Sequence, residues 1–171
     1  MILWLNGAFG VGKSSVAALL VRCLPKAFLY DPEQVGYFLW DCFPDGMKRQ
    51  GDFQHLPIWR EFNYKILKHI AQGYDGVIVV PMTICVKRYY DEIIGALRRD
   101  AIEVKHFILA ASKETILNRL AQRGEAADCW AAAQLDVCLR NFQTDIAGEM
   151  IDTDEMDVEG IVAKILLLTG W

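Results

Sequence analysis

At 171 residues, with 53% hydrophobic and 23% charged residues, the chain can bury a substantial core and is expected to form a single domain spanning 1–171. Its formal net charge is −4 and it carries no basic block, so no nucleic acid is expected as a partner. No apolar run approaches the ~20 residues that span a bilayer, and the N-terminus enters a strand without a charged leader, which makes the cytoplasm the expected location.

The first strand is Ile2-Leu3-Trp4-Leu5, a short apolar run suited to a buried parallel position. Directly after it comes Gly7-Ala8-Phe9-Gly10-Val11-Gly12-Lys13-Ser14, the pattern G-x-x-x-x-G-K-S of a phosphate-binding loop. Val16, Leu19, Leu20 and Cys23 then recur at i, i+3, i+4 and i+7, one face of an amphipathic helix. Strand, glycine loop and helix together are the context the motif requires. Glycines let backbone amides converge on phosphate oxygens, and the helix N-terminus adds about half a positive charge. Gly7, Ala8, Phe9, Gly10, Val11, Gly12, Lys13, Ser14 and Ser15 are therefore the candidate nucleotide-binding residues. Lys13 is placed to reach the β- and γ-phosphates, and the Ser14 hydroxyl to ligate Mg²⁺. ATP and Mg²⁺ are the expected cofactors.

Further along, Ala27-Phe28-Leu29-Tyr30 reads as a second strand, and Asp31-Pro32-Glu33 as the cap and first turn of a helix. Pro44, Gly46, Gly51 and Pro57 punctuate a loop. Trp59, Phe62, Ile66 and Ile70 form one stripe of a helix over 58–72. Residues 76–80 are an uninterrupted apolar run, a central strand, and a helix over 89–99 leads to a strand near 104–110. Ser112 caps the next helix, which carries Arg119 and Arg123 and stops at Gly124. Residues 124–145, with Trp130, form a small helical excursion in the position of a lid. A strand around Met150-Ile151 and a helix with Val158, Ile161, Val162, Ile165 and Leu166 on one face complete the chain. Strands alternating with helices predict an α/β fold: a three-layer P-loop sandwich on a five-stranded parallel sheet of nucleoside-kinase type. Ligands in such folds sit at the carboxyl ends of the strands.

Phosphoryl transfer needs Mg²⁺, cations over the moving group, and a residue that orients or deprotonates the acceptor. Asp31 is a candidate for the last role, or for holding Mg²⁺ with Ser14; equally, it is a plain helix cap. Glu33 is a candidate for acceptor hydroxyls, although a first-turn Glu is normal on dipole grounds alone. The 76–80 strand ends in Pro81-Met82-Thr83 rather than in an acid, which points the metal toward Asp31 and away from a motor-type ATPase. Arg119 and Arg123, at i and i+4, could fold over the triphosphate as catalytic cations with Lys13, or form a solvated basic face. Trp59 reads as core, and Arg60 as a candidate substrate contact. Tyr37, Phe38, Trp40 and Phe43 read either as an apolar groove or as core beneath the long loop. His55, His69 and His106 lack metal-ligand spacing, and the five cysteines contain no C-x-x-C, so reduced thiols are expected.

The loop, the Tyr30-Asp31-Pro32-Glu33 turn and the Arg119/Arg123 helix resemble the small P-loop kinases, the group of shikimate, gluconate and adenylate kinases. Leu3-Trp4-Leu5-Asn6-Gly7-Ala8-Phe9-Gly10, Ile58-Trp59-Arg60-Glu61-Phe62-Asn63-Tyr64, Val79-Val80-Pro81-Met82-Thr83-Ile84 and Ala111-Ser112-Lys113-Glu114-Thr115 look like the tunicamycin resistance proteins. The resemblance implies an ATP-binding protein that protects against tunicamycin, a uridine-containing nucleoside antibiotic with a fatty-acyl tail. Phosphorylation of a drug hydroxyl is the first mechanism it implies. Sequestration of the drug without catalysis, or a metabolic small-molecule kinase, are the alternatives. The family's better-known member has a longer C-terminal extension, thought to associate with membrane; this chain ends at Trp171, so membrane attachment is not expected.

Overall fold

Five short, mostly apolar segments pair into one parallel sheet in a computed structural model that describes residues 1–47 and 52–171. In chain order these are β1 (Ile2–Gly7), β2 (Ala27–Leu29), β3 (Val77–Pro81), β4 (Val104–Ala110) and β5 (Glu149–Asp152), and the strand order is β2-β3-β1-β4-β5. Every residue of β1 is buried, as is all of β3 except Pro81, because helices cover both faces of a parallel sheet. The outer strands are shorter. β2 leaves Phe28 and Leu29 exposed, consistent with its edge position.

The helices are α1 (Lys13–Cys23), α2 (Pro32–Cys42), α3 (Pro57–Gly73), α4 (Lys87–Tyr90), α5 (Ala96–Arg99), α6 (Lys113–Gln122), α7 (Trp130–Thr144) and α8 (Val158–Thr169). The expected helix over 89–99 begins two residues earlier and contains a π-turn, Asp91–Gly95, between α4 and α5. Two expected caps form as read. The Asp31 carboxylate accepts from Glu33 N at the start of α2, and Ser112 Oγ accepts from Thr115 N at the start of α6. Pro57 and Pro32 each occupy the first turn of their helix, where the missing N–H costs nothing. The 43–57 loop holds two 3₁₀ turns, Asp45–Met47 and Phe53–His55; Gly51, expected as loop punctuation, lies outside the described residues.

Trp59 is completely buried, as its core reading required, and its indole N–H donates to Pro32 O. The 124–145 excursion resolves into turns followed by α7, whose Leu135, Cys138 and Phe142 pack into the core. All five cysteines are free, and the Cys138 thiol lies 3.1 Å from Cys85 Sγ. Among the described residues, no helix is long and apolar enough to cross a membrane.

Candidate active site

The phosphate loop leaves β1 at the carboxyl edge of the sheet, between β3 and β4. Gly7 stands at φ +135°, and an added Cβ would lie 2.5 Å from Leu109 O, so only glycine fits against β4. Gly12, also left-handed, opens α1 without any side-chain cap. The first amides of that helix therefore face the loop's concavity, which is the arrangement an anion needs. Lys13 is partly buried and donates to Gly7 O at 3.0 Å and Ala8 O at 2.9 Å, with its ammonium 5.7 Å from the Phe9 ring centroid. Burial lowers its pKa to about 8.

One polar residue in the apolar β1 run holds the loop from beneath. Asn6 is fully buried, and its Oδ1 accepts from Gly7 N at 2.9 Å and Ile84 N at 2.8 Å. Its Nδ2 donates to Ile84 O at 2.9 Å and faces His106 Nε2 at 3.1 Å. His106 Nδ1 lies 2.9 Å from Ala147 O, which can only accept, so Nδ1 carries the proton and Nε2 accepts from Asn6. Thr83 Oγ1 donates to Gly7 O. The strand end Pro81-Met82-Thr83, which lacks an acid, thus clamps the loop backbone by a hydroxyl.

Burial, with a smaller push from Arg98, lowers the His106 pKa to about 4 from its ordinary 6.5. A folded-state pKa below the unfolded value means the stability is present above pH 6.5 and drains as pH falls toward 4. In that window the unfolded chain takes up a proton that the folded chain refuses. The loss should reach about 3 kcal/mol, measured by denaturant unfolding at pH 7 and pH 4, and His106→Gln should flatten the difference.

The two carboxylates after β2 part company. Asp31 serves as cap, with Gln34 Nε2 donating to its second oxygen at 3.1 Å. Glu33 instead lines a cavity of about 330 Å³ together with Phe9, Tyr37, Asp52, Phe53, Gln54, Met82 and Trp130. Burial raises its pKa first, then the charges of Asp31 and Asp52, against the pull of Lys13. A second cavity of about 290 Å³ shares Phe9, Asp52, Gln54 and Trp130 with the first and extends along His55, Cys85, Tyr89 and Cys138. Phe9 and Trp130 meet edge to face at 4.6 Å between ring centroids, joining the phosphate loop to the start of α7.

Arg119 and Arg60 make side-chain contacts within the protein, and Arg119 and Arg123 share a cavity wall. Arg119 Nη1 donates to Val11 O at 3.0 Å and Thr153 Oγ1 at 3.2 Å, and Nη2 donates to Thr153 O at 2.7 Å. It ties the phosphate loop to the segment after β5. Arg123 forms the C-cap of α6 and, with Arg119, Val11, Gly12 and Ser15, lines a third cavity of about 450 Å³ that shares no lining residue with the other two. Arg60 is 2% exposed, paired with Glu92 at 2.5 Å, donating to Gln54 O and stacked 4.4 Å from the Tyr89 ring centroid. Its guanidinium is thus engaged by protein groups, and it meets the cavity wall only by fixing the Phe53–His55 turn.

Tyr37 and Trp40 join Phe53 in a cluster with centroids 5.3 to 6.1 Å apart, whereas Phe38 lies in an open apolar groove with Phe62 and Ile66. Asn6 and Asp52 have no place in the site as read from the sequence. A polar residue inside Ile2–Gly7 was the available signal for Asn6; nothing local marks Asp52.

A phosphate loop on a β2-β3-β1-β4-β5 parallel sheet, with one cavity lined by Glu33 and Asp52 and another by Arg119 and Arg123, defines a three-layer α/β phosphate-loop fold. The chain belongs to the AAA domain family, whose model matches residues 2–144. It is similar in structure to the tunicamycin resistance protein of Deinococcus radiodurans, with TM-score 0.81 and 24% identity, covering 99% of this chain and 95% of that one. It is also similar to a sugar kinase from Janibacter, with TM-score 0.68, 16% identity and coverage of 99% and 94%. A shikimate kinase from Bacteroides thetaiotaomicron aligns with TM-score 0.62, 18% identity and coverage of 100% and 99%. Among curated proteins, none matches the sequence.

Proposed function

We propose that the protein is an ATP-dependent small-molecule kinase that phosphorylates a hydroxyl of a tunicamycin-like nucleoside antibiotic in the cytoplasm. The observation that carries this reading is Glu33: a carboxyl on a cavity wall, electrostatically coupled to the phosphate-loop lysine. The uncapped α1 N-terminus, Lys13 and the exposed first-turn Ser14 fit a triphosphate with Mg²⁺, and Arg119 and Arg123 beside Gly12 and Ser15 fit the nucleoside end. Bound Mg-ATP supplies the γ-phosphoryl group and neutralises charge on the phosphates.

Glu33 accepts the proton of the acceptor hydroxyl as that oxygen bonds to phosphorus and the bond to the ADP oxygen breaks. Its raised pKa makes it a stronger proton acceptor than an exposed carboxylate. Lys13 would exchange Gly7 O and Ala8 O for the phosphates, whose negative charge would favour its ammonium form. Asp31, one residue before α2, would help Ser14 hold Mg²⁺, which would neutralise charge on the phosphates. Phe9 and Trp130 close the space between donor and acceptor, with α7 acting as the lid.

Incubation of the purified protein with Mg-ATP and tunicamycin should yield drug bearing one added phosphate by mass spectrometry. Unmodified drug retained by the protein would establish sequestration, and neither outcome would return the question to metabolic acceptors.

A further inference from the structure

The acceptor space is two adjoining compartments rather than one. Glu33 belongs to the first and His55 and Tyr89 to the second, while Phe9, Asp52, Gln54 and Trp130 stand in the wall of both. We propose that Asp52 is the specificity-determining carboxylate of this site, binding hydroxyls of an uncharged, polyhydroxylated acceptor whose planar ring lies against Phe9 and Trp130. The assignment rests on the kinase reading of the same site.

Three observations converge on it. Asp52 is held rigidly: its Oδ1 accepts from Gln54 N at 2.9 Å, and the Gln54 carbonyl accepts from the buried Arg60, itself anchored by Glu92. A carboxylate fixed at a compartment boundary can accept two hydroxyl hydrogen bonds without first being ordered. Phe9 and Trp130, in edge-to-face contact with each other, stand in the wall of both compartments, and the exposed surface of Trp130 suits a nucleobase or the apolar face of a sugar. Charge supplies the selection. Among the described residues lining the two compartments there is no Lys or Arg, whereas Glu33 and Asp52 face the same space. An anionic acceptor such as a sugar acid would meet two carboxylates there, and like-charge juxtaposition is how a site rejects wrong partners. Burial, the largest influence, raises the Asp52 pKa, as expected of a carboxyl withdrawn from bulk water.

The test is Asp52→Asn, which keeps an oxygen to cap the Phe53–His55 turn and removes only the charge. With tunicamycin as acceptor, KM should rise at least tenfold, while kcat stays within about threefold and KM for ATP is unchanged. An unchanged acceptor KM, or a loss confined to kcat, overturns the assignment. Wild-type protein should turn over gluconate and shikimate at least a hundredfold less efficiently than tunicamycin, and equal efficiency likewise overturns it. Should wild-type protein turn over none of these, the kinase reading fails by itself. Intrinsic tryptophan fluorescence titrated with tunicamycin then decides the binding role: a tenfold weaker Kd in Asp52→Asn upholds it, and an equal Kd or no binding removes it.

Discussion

Glu33→Gln should lower the rate of phosphoryl transfer by two to four orders of magnitude, roughly the range that a positioned general base contributes, while ATP affinity stays at the wild-type level. The neutral amide keeps the shape of the cavity wall and removes the proton acceptor. Asp31→Asn is the matched comparison because asparagine caps a helix as well as aspartate does, so α2 keeps its start at Glu33 N. A shift of the Mg²⁺ activation curve to higher concentration in that variant, with smaller loss of rate at saturating Mg²⁺, would place Asp31 on the metal and Glu33 on the proton. The reverse pattern, with Asp31→Asn inactive and Glu33→Gln near wild type, would exchange the two roles. Single-turnover rates and nucleotide titration of both variants settle the matter.

Asn6→Leu should cost roughly 4 kcal/mol of stability, although the two side chains are nearly equal in size. Leucine leaves Gly7 N, Ile84 N and Ile84 O without their buried partner, and each orphaned group costs about 1–3 kcal/mol. His106 Nε2 loses its donor as well. For a chain of this size the melting temperature should fall by about 10 °C, and a fall of under about 3 °C would show that the network is not what holds the loop. The same variant should bind ATP more weakly, since Gly7 N and the Gly7 carbonyl, which accepts from Thr83, fix where the phosphate loop begins.

The phosphate loop, the five strands and the helix order were all legible in the sequence. Each depends on interactions within a few residues: the all-apolar runs of β1 and β3, the Asp31 and Ser112 caps, and Gly12 at the entry to α1. The match of Leu3-Trp4-Leu5-Asn6-Gly7 and the other three blocks to tunicamycin resistance proteins was equally visible, and the structural likeness to the Deinococcus radiodurans protein runs in the same direction. What each charged side chain touches was decided only by the tertiary structure. Arg119 finds its partner at Val11, 108 residues away, and Arg60 finds Glu92 across 32 residues. Asp52 and Glu33 reach one cavity because the long loop folds back over α2 and α3. Periodicity and capping fix a helix or a strand because their hydrogen bonds close locally. A guanidinium or carboxylate chooses among partners that loop closure brings together from distant parts of the chain, and burial then makes that choice energetically binding.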